Sequence, residues 1–482
     1  MELVVPDVSA DIGKILDVRG QLLLRSRKAE TDKIYISADL VVNLIYAAED
    51  NGGVGSVETV IPFGLELDAK GADANSRLVV SCRLCRLEAR ALNPRKLLLR
   101  GEIAVCTSCY AEDKFVVWDG LPEGVEPPIY LRYMELNHSL VVGVRDKSFV
   151  VSDEYRLPTS RAPGSKLLST NTQVCVSEAK AVGNKLVLKA SADTVAIFIC
   201  GESGMPFSQH FSTPFSQIIE LDSYGENYSS SVTLELSEAE FVPLPERDGN
   251  GALAAQFHVT ATAVCTENKT SKYVEDAYSN RFEVEVGFVE ITATKTVASY
   301  VQRLQLKGNL NAKASLNEIT YLATVGVCAE LNGEEISCRA DVSGVGTGGT
   351  GELEALELAL RSSFETELAE NQYIVIKSLC YEPLTVIGTG RNAEISLDVN
   401  VSLDIIEERY ASNVNVLEFD EAAPLRSFGK PSMVVLCSEK ENDLWQIAKK
   451  YGSTAEIIEA ANSIDGDFSL NQRPLLVPRA TE

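Results

Sequence analysis

Apolar and polar residues alternate along most of this chain. In one run the apolar side chains occupy every second position from Leu253 to Ala263, and in another from Ile395 to Leu403. A period of two places one face of a strand on a core and the other face in solvent. The alternation, broken by clusters of Gly, Pro and Asn, predicts a mainly β protein built from antiparallel, sandwich-like units.

The order of these features repeats along the sequence. A turn followed by an alternating strand begins near residues 93, 249 and 390. The spacing of about 150 residues predicts three diverged copies of one domain. The predicted domains are 1–125, 126–275 and 276–420, with Pro- and Gly-containing linkers at 121–128 and 420–431. One passage, GELEALELALRSSFETELAENQ at 351–372, has a helical period and predicts a helix laid on the sheet of the third copy.

A compact module is predicted at the end of the chain, in residues 432–482. Apolar runs at 433–437 and 474–478 predict two strands. Between them, Asn442 or Asp443 is expected to cap a helix whose apolar face includes Ile447. The predicted order of elements is strand, helix, helix, strand, a small α+β domain.

The two helices of this module have recognisable ends. Gly452 is expected to stop the first helix, because glycine readily adopts the left-handed conformation found after helix ends. Ser453, with Glu456 three residues later, predicts a capping box at the start of the second helix.

The charge balance argues against two classes of binding partner. The chain has 44 basic and 69 acidic residues, a net charge of −25, and no cluster of Lys and Arg. Nucleic acids and anionic membranes need clustered positive charge, so binding to either is disfavoured. With no signal-peptide pattern at the N-terminus and no run of 18 apolar residues, the sequence predicts a cytoplasmic protein that does not span a membrane.

Candidate catalytic residues are few. The chain has three histidines, far apart in sequence, and no recognisable nucleophile motif. The eleven cysteines are scattered among apolar positions and are interpreted as reduced core thiols, which also favours the cytosol. We therefore expect no enzyme activity, no cofactor and no metal.

One pair of cysteine motifs has the spacing of a zinc site. Twenty residues separate the pair Cys82 and Cys85 from the similar pair Cys106 and Cys109. Both pairs fall on predicted strands, where residues three apart point to opposite faces. Four thiolates cannot converge from that geometry, so core thiols are the favoured interpretation.

A glycine motif has the spacing of a dinucleotide fingerprint. Gly344, Gly346 and Gly349 precede the helical pattern, but the preceding strand contains Arg339 and Asp341 and no βαβ unit surrounds it. We interpret the glycines as a flexible hairpin loop.

The C-terminal module resembles the LysM domain over residues 432–479. That domain has a strand, a Gly-Asp-Thr-Leu-Trp helix start, Ile-Ala, a second helix ending in Asn, and a final Leu-x-Ile-Pro strand. The matching residues are Leu444, Trp445, Ile447, Ala448, Asn462, Leu475, Val477 and Pro478. At the glycan-binding Gly-Asp-Thr the chain has Glu441-Asn442-Asp443, which removes the glycine turn and adds charge. We expect a protein surface as its ligand in place of a neutral sugar.

The upstream copies resemble the SPOCS domain of spore-forming bacteria. The cues are IPF at 61–63, TPF at 213–215, a late strand containing Cys, and DAYSNRF at 276–282. SPOCS copies followed by one LysM are similar to the SipL-type spore coat morphogenetic proteins. This resemblance implies a mother-cell protein that joins the coat ATPase SpoIVA at the forespore surface through its LysM.

The combined prediction is a non-catalytic scaffold for spore coat assembly. Its expected partners are a SpoIVA-like spore coat morphogenetic ATPase and other coat proteins. The predicted partner-binding residues are Glu441, Asn442, Asp443, Leu444, Trp445, Ile464 and Asp465. Two alternatives are a peptidoglycan-binding protein that uses the LysM on N-acetylglucosamine polymers, which would need export, and an enzyme within a SPOCS copy.

Overall fold

The structure of the protein is a computed structural model. It describes residues 1–49, 53–112, 116–121, 129–158, 164–221, 225, 228–247, 250–310, 316–349, 351–388, 392–424, 431–437, 443–464 and 474–480. Two compact units are present. Unit 1 consists of three segments, Met1–Glu112, Leu140–Glu267 and Thr296–Ile406, and unit 2 consists of Asp113–Ser139, Asn268–Lys295 and Glu407–Glu482.

Strands make up most of the described chain, as the alternation predicts. The first half contains β1 (Glu2–Val4), β2 (Ile12–Glu30), β3 (Lys33–Ala48), β4 (Val54–Asp68), β5 (Arg77–Asn93), β6 (Lys96–Tyr110), β7 (Ile129–Arg156), β8 (Lys166–Val182), β9 (Lys185–Ile199), β10 (Pro206–Glu220) and β11 (Tyr228–Arg247). The second half contains β12 (Asn250–Ser279), β13 (Phe282–Asn309), β14 (Leu316–Asn332), β15 (Glu335–Gly348), β16 (Leu353–Glu365), β17 (Gln372–Tyr381), β18 (Thr385–Ile387), β19 (Glu394–Pro424), β20 (Met433–Leu436), α1 (Leu444–Tyr451), α2 (Ala455–Asn462) and β21 (Leu475–Pro478). The mainly β fold class is confirmed.

Each segment of unit 1 contains a three-stranded antiparallel meander. The meanders are β2-β3-β4, β8-β9-β10 and β14-β15-β16, the last within a seven-stranded sheet that continues to β13, β19 and β17. Two further sheets have the orders β1-β6-β5 and β11-β12-β7. The middle strand of each meander buries every second residue, beginning at Ile34, Leu186 and Ile336. The four-domain division by sequence stays a prediction, while in the structure the three segments share one compact unit.

A buried ion pair joins the first and third segments of unit 1. Asp17 and Arg19 on β2 are 3% and 2% exposed, and Arg19 Nε donates to Asp17 Oδ2 at 2.8 Å. The other guanidinium nitrogens donate to backbone carbonyls of the third segment, including that of Ser343 at 2.7 Å. The hydroxyls of Tyr321 and Ser343 both donate to the Asp17 carboxylate. Both buried charges are therefore paired and hydrogen-bonded.

Two glutamines join the second segment to the others. The side chain of Gln21 donates to the Thr172 carbonyl at 3.1 Å and accepts from the Thr172 amide at 2.6 Å. Gln173 makes the same two-way contact with the backbone of Tyr381 in the third segment. Each segment of unit 1 is thus bonded to both of the others.

The cysteine prediction is wrong for four of the eleven residues. Disulfides join Cys85 to Cys328 and Cys175 to Cys380, each across segments of unit 1. The paired residues are 243 and 205 positions apart, a separation that spacing motifs do not reveal. The other seven cysteines lie outside these two disulfides: Cys82, Cys106, Cys109, Cys200, Cys265, Cys338 and Cys437. Of these, Cys106 and Cys437 are exposed, so the core interpretation is wrong for them as well.

The zinc-like cysteine motif lies on a β-hairpin, as the sequence predicts. Strands β5 and β6 pair antiparallel, with Cys82 opposite Val105 and Ser81 opposite Cys106. Among the described residues, no three Cys, His, Asp or Glu side chains are grouped so that they could hold a metal ion. The described helices also include none with the length and hydropathy required to span a bilayer.

The predicted helix at 351–372 is wrong. Residues Leu353–Glu365 form strand β16, which pairs with β15 over its whole length. Leu356 and Leu360, the most buried leucines, are four residues apart, so the pattern fits both a helix and a strand. The segment forms a strand because it pairs with β15, and such tertiary contacts override local helix propensity.

The glycine motif is only partly a hairpin loop. The turn lies between Gly348 and Leu353, but Gly344 and Gly346 belong to strand β15. A Cβ atom on Gly344 would lie 2.1 Å from the carbonyl oxygen of Tyr321 on the neighbouring strand. The glycine is thus needed for close backbone approach within a sheet, and the flexible-loop interpretation is wrong for these two positions.

The predicted linker at 420–431 also needs correction. Strand β19 continues to Pro424, so its last residues lie inside the predicted linker. Residues 425–430, like 122–128 of the other predicted linker, lie outside the described part of the chain.

Candidate protein-binding site

Helix α1 begins and ends where the sequence predicts. Asp443 is the N-cap residue, and its side chain accepts a hydrogen bond from the Trp445 amide at 2.9 Å. Gly452 ends the helix with φ of 68°. Ile447 and Ala448 are fully buried on the inner face, which leaves Trp445 partly buried at the border of the core.

Helix α2 has a different cap from the predicted one. Thr454, not Ser453, is the N-cap, because its hydroxyl accepts from the Ile457 amide at 3.2 Å. The Ser453 hydroxyl instead donates to the carbonyl of Pro478 on β21. At the other end, the Asn462 side chain exchanges two hydrogen bonds with the backbone of Leu476. Ser453 and Asn462 therefore attach the helices to the strand pair β20–β21.

The outer stripe of α1 binds a carboxylate from the end of strand β12. Asp276 is 7% exposed, and Trp445 Nε1 donates to its Oδ2 at 2.8 Å. Lys449 Nζ donates to both oxygens of the same carboxylate, at 2.7 and 2.9 Å. Trp445 and Lys449 are four residues apart and hence neighbours on the helix surface. Together they form one charge-assisted site for an acidic group.

Tyr278 completes the contact with α1. Its ring meets the Trp445 ring edge to face, with centroids 4.8 Å apart, and stacks on Tyr130 at 5.1 Å. Its hydroxyl donates to the backbone carbonyl of Ser453 at 3.0 Å. Tyr278 is 4% exposed, and burial raises the pKa of its phenol. Aromatic contacts of this geometry contribute about 0.5–1.5 kcal/mol beyond the area that they bury.

A surface ion pair extends the contact to the N-cap. Arg132 on β7 donates to Asp443 Oδ2 at 2.6 Å and to Glu275 at 2.9 Å. The three side chains are between 32% and 41% exposed, so each pair is expected to contribute at most about 1 kcal/mol. We call Asp443, Trp445 and Lys449, with the Ser453 carbonyl, the α1 face.

Four of the seven predicted partner-binding residues can be located. Asp443 and Trp445 belong to the α1 face, Leu444 is partly buried beside it, and Ile464 is partly buried against the module core. Glu441, Asn442 and Asp465 lie outside the described residues, so their predicted role stays a prediction.

Sequence reasoning missed the residues that occupy this face. Asp276 and Tyr278 belong to the DAYSNRF segment, whose sequence does not mark them as ligands of α1. The local hint in the sequence is that Asp276 stands beside the apolar and aromatic residues Ala277 and Tyr278, because a charge that is buried with such neighbours needs a partner.

A second candidate region is a pocket of unit 1 that is partly open to solvent. It has a volume of about 160 Å³ and is lined by residues of all three segments, including Cys82, Arg83, Glu235 and Tyr381. Burial raises the pKa of the Glu235 carboxyl to about 8, against the lowering effect of the Arg83 and Arg27 guanidinium groups. Burial likewise raises the pKa of the Cys82 thiol to about 12. At neutral pH both groups are therefore predominantly uncharged.

We expect Glu235→Gln to stabilise the protein at pH 8 by about 1–2 kcal/mol and to change little at pH 5. With a folded pKa of about 8 and an ordinary value of 4.5, the carboxyl is protonated when folded but ionised when unfolded between these pH values. Stability therefore falls as pH rises through this window, and the amide removes that loss. The expected gain in unfolding free energy is smaller than for a fully buried carboxyl, because the Glu235 side chain is half-buried and solvent screens its charge.

Thermal unfolding at the two pH values measures this effect. Glu240→Gln, at an exposed position on the same strand, is the control and should leave the unfolding midpoint unchanged at both pH values. An equal change at pH 5 and pH 8 for Glu235→Gln would contradict the raised pKa.

One comparison with known proteins identifies the first segment. Residues 11–92 match the family model described as SipL, SPOCS domain. This segment is similar to the SipL SPOCS domain. The searches of curated proteins and of solved structures found no significant match.

The SPOCS match confirms the resemblance to SipL-type proteins and indicates a sporulation-related protein. It covers β2, β3, β4 and nearly all of β5, and it includes the buried pair Asp17 and Arg19. Since the match lies within the first segment, the SPOCS character of the other two segments and the LysM character of the C-terminal module remain predictions.

Proposed function

We propose that this SPOCS protein is a non-enzymatic scaffold of spore coat assembly. It binds a SpoIVA-like spore coat morphogenetic ATPase at the forespore surface through its C-terminal module, and it acts in the mother-cell cytoplasm. The SipL SPOCS match at residues 11–92 is the observation that carries the sporulation role. The βααβ order of the module, with its Leu-Trp helix start, supports the LysM assignment.

The chemistry of the α1 face favours a protein partner. It combines a partly buried indole, an ammonium group and a carboxylate within two turns of helix. Tryptophan beside charged residues is typical of the residues that dominate protein interfaces. The chain already satisfies these groups with Asp276, Tyr278 and Arg132, which are protein side chains.

A comparison of two ligands tests this proposal. Purified full-length protein is mixed either with the purified SpoIVA-like ATPase or with purified sacculi, and bound protein is separated by capture or by sedimentation. We expect retention by the ATPase and no retention by sacculi above the level of bovine serum albumin. Retention by sacculi at the level of a glycan-binding LysM protein, without ATPase binding, would favour the peptidoglycan-binding alternative.

A further inference from the structure

The predicted partner surface on α1 is occupied by the protein itself. Asp276 uses both carboxylate oxygens on Trp445 and Lys449, and Tyr278 covers the Trp445 ring edge to face. All of these residues belong to unit 2. A partner cannot place its own group on the Trp445 indole N–H while Asp276 holds it.

We propose that residues Asp276 to Tyr278 form an intramolecular latch on the α1 face, and that a partner must displace this latch to bind there. The latch would regulate binding, and the identity of the partner that displaces it rests on the proposed function. Its existence as a contact within the chain does not depend on which partner binds.

The latch and the neighbouring Arg132 together hold the α1 face through three kinds of interaction. The Asp276 carboxylate lies almost out of solvent, where charge-assisted hydrogen bonds are stronger than at the surface. The Tyr278 hydroxyl reaches past the helix end to the Ser453 carbonyl. Arg132 holds the N-cap Asp443 at the other end of the stripe. Together with Arg132, the latch therefore contacts α1 from its N-cap to Ser453, just before α2.

The position of the latch favours reversible opening. It lies where β12 ends and β13 begins, with Asn280 and Arg281 between the two strands. The Ser279 hydroxyl accepts hydrogen bonds from the amides of Arg281 and Phe282, which closes the turn independently of α1. The turn can thus persist when the side chains of Asp276 and Tyr278 leave the α1 face.

The latch also specifies the chemistry of a competing partner. A group that replaces it must offer a carboxylate to Trp445 and Lys449 and an aromatic ring to the indole. Binding then exchanges one set of contacts for a similar set. The apparent affinity is therefore the intrinsic affinity multiplied by the fraction of molecules in which the latch is open.

Charge reversal at the Asp276–Lys449 pair tests the latch in the full-length chain. The protein has two tryptophans, so a Trp118→Phe background makes Trp445 the only indole reporter. In this background we compare Lys449→Asp, Asp276→Lys and the double exchange of both residues. Glu285→Gln, an exposed acidic residue on β13, is the control.

We expect each single reversal to shift Trp445 emission to longer wavelength and to increase its quenching by acrylamide. The double exchange should restore both readings towards those of the parent, which a merely misfolded variant would not do. Emission and quenching that stay at the parent value in both single variants would overturn the latch.

Binding of the purified SpoIVA-like ATPase to the same variants tests the competition. Lys449 belongs both to the latch contact and to the proposed binding surface, so the effect of Lys449→Asp on the binding midpoint combines two contributions. Asp276→Asn changes only the latch and is therefore the deciding variant. It should tighten binding about 10-fold by weakening the latch while leaving the α1 face intact. Unchanged or weaker binding by Asp276→Asn overturns the competition. If the ATPase binds no variant at all, the proposed function fails, whereas the fluorescence result still decides whether the latch exists.

Discussion

Replacing Asp17 with alanine is expected to lower the free energy of unfolding by about 3–5 kcal/mol. The substitution leaves the Arg19 guanidinium 2% exposed and without its carboxylate, although the carbonyl contacts to the third segment persist. An uncompensated buried charge is among the largest single-residue penalties in a folded protein. It would also leave the hydroxyls of Tyr321 and Ser343 without their acceptor.

Asp39→Ala provides the matched control for this prediction. Asp39 pairs with Arg25, whose side chain is 42% exposed, at a similar distance of 2.7 Å. Because exposed ion pairs contribute about 0–1 kcal/mol, this variant should unfold close to the parent midpoint. Chemical denaturation of both variants provides the comparison. Losses of equal size would show that the Asp17 cluster does not hold the first and third segments together.

Replacing Trp445 with alanine is expected to weaken binding of the SpoIVA-like ATPase by at least about 30-fold, or about 2 kcal/mol. The indole lies at the border of the module core, and truncation there removes both the N–H donor and the ring that faces Tyr278. The substitution also opens the latch, but loss of the anchor outweighs that gain. Asp276→Asn and Trp445→Ala should therefore change the affinity in opposite directions.

The same Trp445→Ala variant should remain folded, with a lowered but cooperative thermal transition. Ile447, Ala448 and Ile458, which form the buried centre of the module, are untouched. Trp445→Phe retains a ring against Tyr278 while removing the N–H, so it separates the packing contribution from the hydrogen bond. Wild-type affinity in a folded Trp445→Ala protein would show that the partner binds another surface.

Sequence patterns predict the strands of this protein well because one face of most of them is buried. The alternation in β3, β9 and β15 appears directly as alternating burial. The pattern is ambiguous in β16, where Leu356 and Leu360 fit both periods and only the neighbouring strand decides. Local caps were likewise predictable at Asp443 and Gly452, since each depends on a few adjacent residues.

Contacts between distant residues could not be predicted in this way. Cys85 and Cys328 are 243 residues apart, and Asp276 and Trp445 are 169 residues apart. Nothing in the local sequence of either partner specifies the other, because chain topology brings them together. For the binding site, the sequence indicated Trp445 as a contact residue, whereas the latch that covers it required the folded chain.

Hydrogen–deuterium exchange of the full-length chain, with and without the purified SpoIVA-like ATPase, tests the proposed binding surface most directly. We expect slower exchange in α1 (Leu444–Tyr451) when the ATPase binds, because the partner covers that helix. At the same time, the Ala277 amide, which donates to Asp276 Oδ1 at 2.8 Å, should exchange faster, because the partner displaces that carboxylate. Unchanged exchange in α1, with protection appearing only in other parts of the chain, would contradict the assignment of the C-terminal module as the binding surface.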